Sequence, residues 1–187
     1  MKKIFSIVAT LIVALPVFVS CNKDNPSGPS KKKQTYSYQV TASVEINENA
    51  KAMFDIAAGS DFACAGETTD FSAHFAKSDK FEFSKKGETP CQTHLKFIVT
   101  PKAGFTPETG KKYDVSVVIS YVVAVIDELD GGCVFRESKE GGIFSKGLDF
   151  DEAKSKKDLS PDDVLQTLKR TCDFDKSYTI SKDGSVN

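Results

Sequence analysis

Only two side chains of this sequence, His74 and His94, are of the type that serves as an acid or base near neutral pH. Neither stands in a nucleophile setting such as G-x-S-x-G, and both are flanked by strand-type residues, so they read as side chains on strand faces or rims. The acids are more numerous and gather at three places: Asp127, Glu128 and Asp130 beside Gly131-Gly132; Asp149 with Asp151 and Glu152; and Asp173 with Asp175. Oxygen ligands crowded on a glycine turn suit Ca²⁺, but the EF-hand spacing with its distant Glu is absent. Two of these carboxylates could in principle hydrolyse a glycoside, yet nothing in the spacing sets their separation. They read as solvated turn acids, with no catalytic residue, metal or cofactor assigned.

The elements that must position these groups are mostly strands. In residues 35–46, Tyr36, Tyr38, Val40, Ala42, Val44 and Ile46 alternate with polar residues, the period of a strand buried on one face. Asn47-Glu48-Asn49 supplies a turn, and residues 53–58 return as the second arm of a hairpin. Phe71, Ala73 and Phe75, then Phe81 and Phe83, predict two short strands around residues 77–80. Leu95, Phe97 and Val99 predict another, before Pro101, Gly104, Pro107 and Gly110 mark a long turn. Residues 112–126 form the strongest strand signal. The second half of that run is apolar on both faces, which predicts a central strand covered on both sides. A short return strand at 133–135 and a weaker one at 143–150 follow. One helix stands out at 160–172, with Ser160 as cap, Pro161 in the first turn, acids Asp162 and Asp163 at its start and Lys169 and Arg170 at its end. Lys176 to Ser181 ends the pattern as a last strand. The fold class expected is mostly β: an antiparallel two-sheet sandwich, immunoglobulin-like or transthyretin-like, with one short C-terminal helix.

Residues 1–21 bear on where the chain works. Lys2 and Lys3 precede the apolar run from Ile4 to Val19, which ends in Phe18-Val19-Ser20-Cys21. A transmembrane helix needs about 20 apolar residues, and this run is at the lower limit and contains Pro16. The stretch resembles a bacterial lipoprotein signal peptide, although Phe18 stands where the class usually has Leu. That resemblance implies cleavage before Cys21, acylation of Cys21 and a membrane contact through the lipid. Residues 1–20 are then the signal peptide, 21–34 the lipidated cysteine and a tether rich in Pro, Gly, Ser and Lys, and 35–187 a single β-rich domain. A coil of that length reaches on the order of 20 Å. Lys23-Asp24 resembles the short charged export signal of Bacteroides-type surface lipoproteins, which implies the outer membrane and its outward face; read plainly, the two are tether residues.

Removing residues 1–20 takes away Lys2 and Lys3 and no acid, leaving 23 basic against 26 acidic residues, a formal charge of -3. A nucleic-acid partner would leave a basic excess, so none is expected. Export would carry Cys64, Cys91, Cys133 and Cys172 through an oxidising compartment, and no C-x-x-C pair suggests zinc. Two disulfides are expected, paired Cys64 with Cys91 and Cys133 with Cys172 among the three possible connectivities.

Two functional classes stay open: a surface-held, non-catalytic binding or adhesion module for a protein or glycan ligand, and a small cell-envelope hydrolase using turn acids or the two histidines. A periplasm-facing structural lipoprotein differs from the first mainly in orientation. Glycan binding usually exposes aromatic platforms, whereas this chain has no Trp, and Tyr36, Tyr38, Tyr113 and Tyr121 fall in phase with apolar strand faces.

Overall fold

The computed structural model describes residues 33–187; the leader, Cys21 and nearly all of the tether lie outside the described residues. In chain order the elements are β1 (Tyr36–Ile46), α1 (Glu48–Met53), β2 (Phe54–Ile56), β3 (Asp61–Cys64), β4 (Glu67–Asp70), α2 (Phe71–Phe75), β5 (Lys80–Glu88), β6 (Cys91–Phe97), β7 (Val99–Pro101), β8 (Lys112–Asp127), β9 (Cys133–Asp149), α3 (Phe150–Lys157), α4 (Pro161–Cys172) and β10 (Phe174–Ile180). The chain is mostly β. One four-stranded sheet runs β5-β1-β8-β9, another runs β10-β6-β3-β4, and β2 pairs with β7. Every pairing is antiparallel.

Alternation explains the register. Val40 lies opposite Val123 and Val44 opposite Ile119, so the apolar face of β1 meets the apolar face of β8 without a slip. These side chains share one hydrophobic core with Phe62 of β3, Leu95 and Phe97 of β6, and Tyr178 and Ile180 of β10. A phenylalanine cluster fills one part of it, with Phe62 to Phe83 at 4.6 Å and Phe71 to Phe81 at 5.0 Å between ring centroids. Each fully buried ring contributes about 1.5–3 kcal/mol through the water it no longer touches.

Several expectations give way to local hydrogen bonding. Where a turn was expected at Asn47, the Asn47 side chain caps α1 by accepting from the Ala50 amide at 2.9 Å, and its Nδ2 donates to the Asp114 carbonyl at 2.7 Å. Residues 71–75 are helical rather than extended, because Phe71 and Phe75 also match the i, i+4 spacing. Asp70 then decides, capping the Ser72 amide at 2.8 Å and the Ala73 amide at 3.2 Å. The two segments expected at 133–135 and 143–150 form one 17-residue strand, β9, ended by the Asp149 cap of α3. The described residues therefore hold four helices, of which α4 is the expected one, with the Ser160–Asp163 capping box in place.

Central β8 departs from expectation on its outward face. Among the described residues no element covers that face as the apolar pattern predicted: Val118 is 49 % exposed there, and Val122 and Ile126 are half-buried.

Candidate functional site

The second sheet turns its alternation outward into a polar face. On β6, Cys91, Thr93, Leu95 and Phe97 point to the core and leave Gln92, His94 and Lys96 outside; β3 leaves Asp61 and Ala63, and β10 leaves Asp175, Ser177 and Thr179. The register aligns them in rows. Ser177 lies opposite His94 and His94 opposite Ala63, while Asp175, Lys96 and Asp61 form the next row. His94 Nε2 reaches Asp61 Oδ1 at 2.7 Å, an ion pair when the imidazole is protonated, with both side chains more than a third exposed.

Small residues make this face concave. Ala63, Ala65 and Gly66 lie on one side of the taller Gln92 and His94, with Ser177 and Thr179 on the other, and the open depression they line together is about 360 Å³. Ala65 and Gly66 turn the chain with positive φ, 49° and 84°, before β4 leaves in the opposite direction.

Beneath that depression the sheet is held by buried polar contacts. Tyr121 Oη donates to Thr93 Oγ1 at 2.8 Å, and Thr93 Oγ1 donates to the Ala63 carbonyl at 3.0 Å. Burial raises the Tyr121 phenol and pushes that of Tyr178 up to about 12, so both stay protonated donors. The two rings lie 5.8 Å apart. With Tyr38 and Tyr113 also buried, these rings are core and not ligand platforms.

The histidines do not converge. His74 sits on α2, where Nε2 donates to the Lys80 carbonyl at 2.8 Å and the ring edge meets Phe75 and Phe81, whereas His94 on β6 meets Asp61. The acid clusters are occupied as caps. Asp127 accepts from the Leu129 amide at 2.9 Å and from Gln34 Nε2 at 2.6 Å; Glu128 accepts from Ser37 Oγ and pairs with Lys86; Asp130 accepts from the Gly132 amide at 2.7 Å. Asp149 caps α3, Asp151 accepts from the Gly110 amide, Glu152 pairs with Lys156, and Asp173 binds Lys169 and the Val99 amide. Asp175 stands on the outer face of β10. Among the described residues no group of three or more His, Cys, Asp or Glu is placed to hold a metal ion.

The cysteines differ from expectation, since all four described thiols are free. Cys64 and Cys91 are nevertheless neighbours in the core, with Sγ atoms 3.9 Å apart. Burial pushes the Cys91 thiol up to about 12 and raises that of Cys64. Cys133 and Cys172 are separated. Phe174, two residues beyond Cys172, packs on Gly141, eight residues along β9 from the exposed Cys133, a span of about 26 Å at strand rise. No disulfide bridges such a distance.

Sequence reasoning named His94 but missed Asp61 and Ser177. The signal for Asp61 was present in the four-residue alternation Asp61-Phe62-Ala63-Cys64, too short to stand out beside Gly59 and Gly66. Compared with known protein families, characterised proteins and solved structures, the chain finds no match.

Proposed function

We propose that the chain is a membrane-anchored, extracytoplasmic lipoprotein whose domain is a non-catalytic binding or adhesion module, built as a two-sheet sandwich of immunoglobulin-like or transthyretin-like type. The observation that carries the binding reading is the shallow trough over β10, β6 and β3, where the small Ala63, Ala65 and Gly66 lie beside hydrogen-bonding side chains of β6 and β10. An open trough suits a ligand that lies along it, such as a polar segment of a surface protein or a glycan. The inward-facing Tyr178 ring leaves no stacking platform on this face, which favours the protein segment. The anchor rests on the sequence ending in Cys21, and the outward orientation on Lys23-Asp24.

Labelling with a palmitate analogue tests the anchor. The wild type should incorporate label and Cys21→Ala should not; label retained by the variant sinks it. Protease added to intact cells should release the domain, whereas full protection would place it on the periplasmic face as a structural lipoprotein. Ala63→Arg fills the trough without touching the core, so it should lose whatever envelope component the wild type captures. Unchanged capture would refute the trough.

A hydrolase reading has one specific observation in its favour: Ser177, His94 and Asp61 succeed one another across β10, β6 and β3. No hydrogen bond joins Ser177 to His94, and the open face provides no preorganised donors for an oxyanion. A hundredfold loss of turnover in His94→Ala, about 2.7 kcal/mol of barrier, would establish it over the binding reading.

A further inference from the structure

β9 is the last strand of its sheet, and its outer edge is open. Among the described residues, the backbone groups of residues 134–142 bond to β8 and otherwise only within their own strand, where Cys133 Sγ donates to the Phe135 carbonyl at 3.2 Å, so the outer row of amides and carbonyls has no partner strand. Sheets usually guard such an edge with charge that repels a second strand. The charges here do the reverse. Around Ser138 the order is Arg136, Glu137, Ser138, Lys139, Glu140, in which each residue is matched at equal distance by one of opposite sign.

We propose that two copies of this chain pair through β9, antiparallel about a two-fold axis at Ser138, to give one continuous eight-stranded sheet. In that register Arg136 faces Glu140 of the partner subunit, Glu137 faces the partner's Lys139, and both pairs occur twice by symmetry. Shifting the centre by one residue puts Glu137 opposite the partner's Glu137, or Lys139 opposite the partner's Lys139, so charge selects a single register.

The exposed apolar side chains fit the same register. Val134 is 52 % exposed, Val118 49 % and Phe144 80 %. Val118 lies opposite Gly142 across β8 and β9, and the pairing sets the partner's Val134 on the other side of Gly142. Phe144 is diagonal to that Val134, within reach of an aromatic ring. Three exposed apolar groups thus close over a glycine that has no side chain to keep them apart. The eight strands follow the order β5-β1-β8-β9 and then its mirror sequence in the partner.

Sedimentation velocity on the full chain in detergent tests the pairing, in a Cys133→Ser background so that this exposed thiol takes no part. The parent should dimerise. Arg136→Glu should weaken the dimer by about tenfold or more, because it places like charges opposite each other at two symmetry-related sites. Arg136→Glu with Glu140→Arg restores opposite charges and should restore the dimer. Both side chains are solvent-facing, and circular dichroism checks that each variant is folded. In the same background Ser138→Cys puts two thiols across the axis. Oxidised glutathione should then join them, the two thiols giving up two electrons and two protons as the glutathione disulfide is reduced to two thiols. A monomeric parent, a dimer indifferent to Arg136→Glu, a double variant that stays monomeric, or no covalent dimer from Ser138→Cys would each overturn the proposal.

Discussion

Gly142→Ala tests whether β9 is held as described. Gly142 has φ of +116°, outside the left-handed helical well that other residues occasionally visit, and a Cβ built there would lie 2.1 Å from the carbonyl oxygen of Val117. Both obstacles are backbone, so neither yields to a side-chain rotation. The strained φ costs about 1–3 kcal/mol. Relieving the overlap means parting β8 from β9 by over an ångström, an overpacking cost of about 1–3 kcal/mol. A central figure of about 4 kcal/mol is a large share of the roughly 5–15 kcal/mol that holds an ordinary domain folded. In urea, with a slope of about 2 kcal/mol/M, the unfolding midpoint should fall by about 2 M at unchanged slope. Gly131→Ala is the control: its φ is +71°, but no atom lies within 4 Å of the added Cβ, so its cost should stay near 1 kcal/mol. If the two variants unfold within about 0.5 kcal/mol of each other, the tight β8–β9 approach at Gly142 is wrong.

Oxidised glutathione should join Cys64 to Cys91, taking two electrons and two protons from the thiols. The bond should form during folding and only slowly afterwards, because burial keeps both thiols protonated in the folded chain. Closing that 27-residue separation adds about 3–4 kcal/mol in the chain-entropy model, and peptide mapping that links Cys64 to Cys133 or Cys172 would refute the pairing. Acid should destabilise the fold. Asp70, held down by the Ser72 hydroxyl, Asp149 by the Glu152 amide and Asp163 by the Ser160 hydroxyl all lie below the usual carboxylate range. The unfolded chain binds their protons more readily, so this stability is complete above the ordinary carboxylate pKa and is lost as pH falls through the lower folded values; a melting temperature that rises on acidification would contradict it. Ser160→Ala should cost about 1 kcal/mol at neutral pH by urea unfolding, and no measurable loss would deny the α4 cap its role. Tyr121→Phe should cost about 1 kcal/mol, leaving Thr93 bonded to Ala63; a gain in stability would show that the buried hydroxyl is no asset.

The long alternations were legible because they admit one reading. Eleven residues of β1 with apolar groups on every second position cannot bury that face as a helix, and the structure pairs them along their whole length with β8. The ambiguous stretches were short. Phe71 and Phe75 satisfy both a strand and a helix, and the outcome turned on the Asp70 side chain, a contribution of one hydrogen-bonded cap. Gly141 and Gly142 read as breaks in a strand, yet they keep β9 continuous, because a glycine is what permits the close approach to Val117 and Phe174. The trough was less legible still. It depends on Ser177, His94 and Ala63 lining up across three strands far apart in sequence, with small residues on the β3 side beside larger ones on β6 and β10, which no spacing within a single segment reveals.

The outward face of β8 shows how a doubly apolar strand can be central without a covering layer. Ala124 points outward and is only 7 % exposed, a small side chain set between Gln39 on β1 and Arg136 on β9, both of which have long stems. Val118 occupies the equivalent position three rows away, between Glu45 and Gly142, and is 49 % exposed. The neighbours on β9 differ: Ala124 has an arginine beside it, and Val118 a glycine with no side chain to cover it. The backbone needs glycine at 142, so the chain cannot shield Val118 from within that row, and Phe144 beside it is left with no apolar partner across the strand, since it lies opposite Ser116. A second β9 at the edge of the sheet would bring Val134 to that apolar spot, the coverage that its own row does not supply.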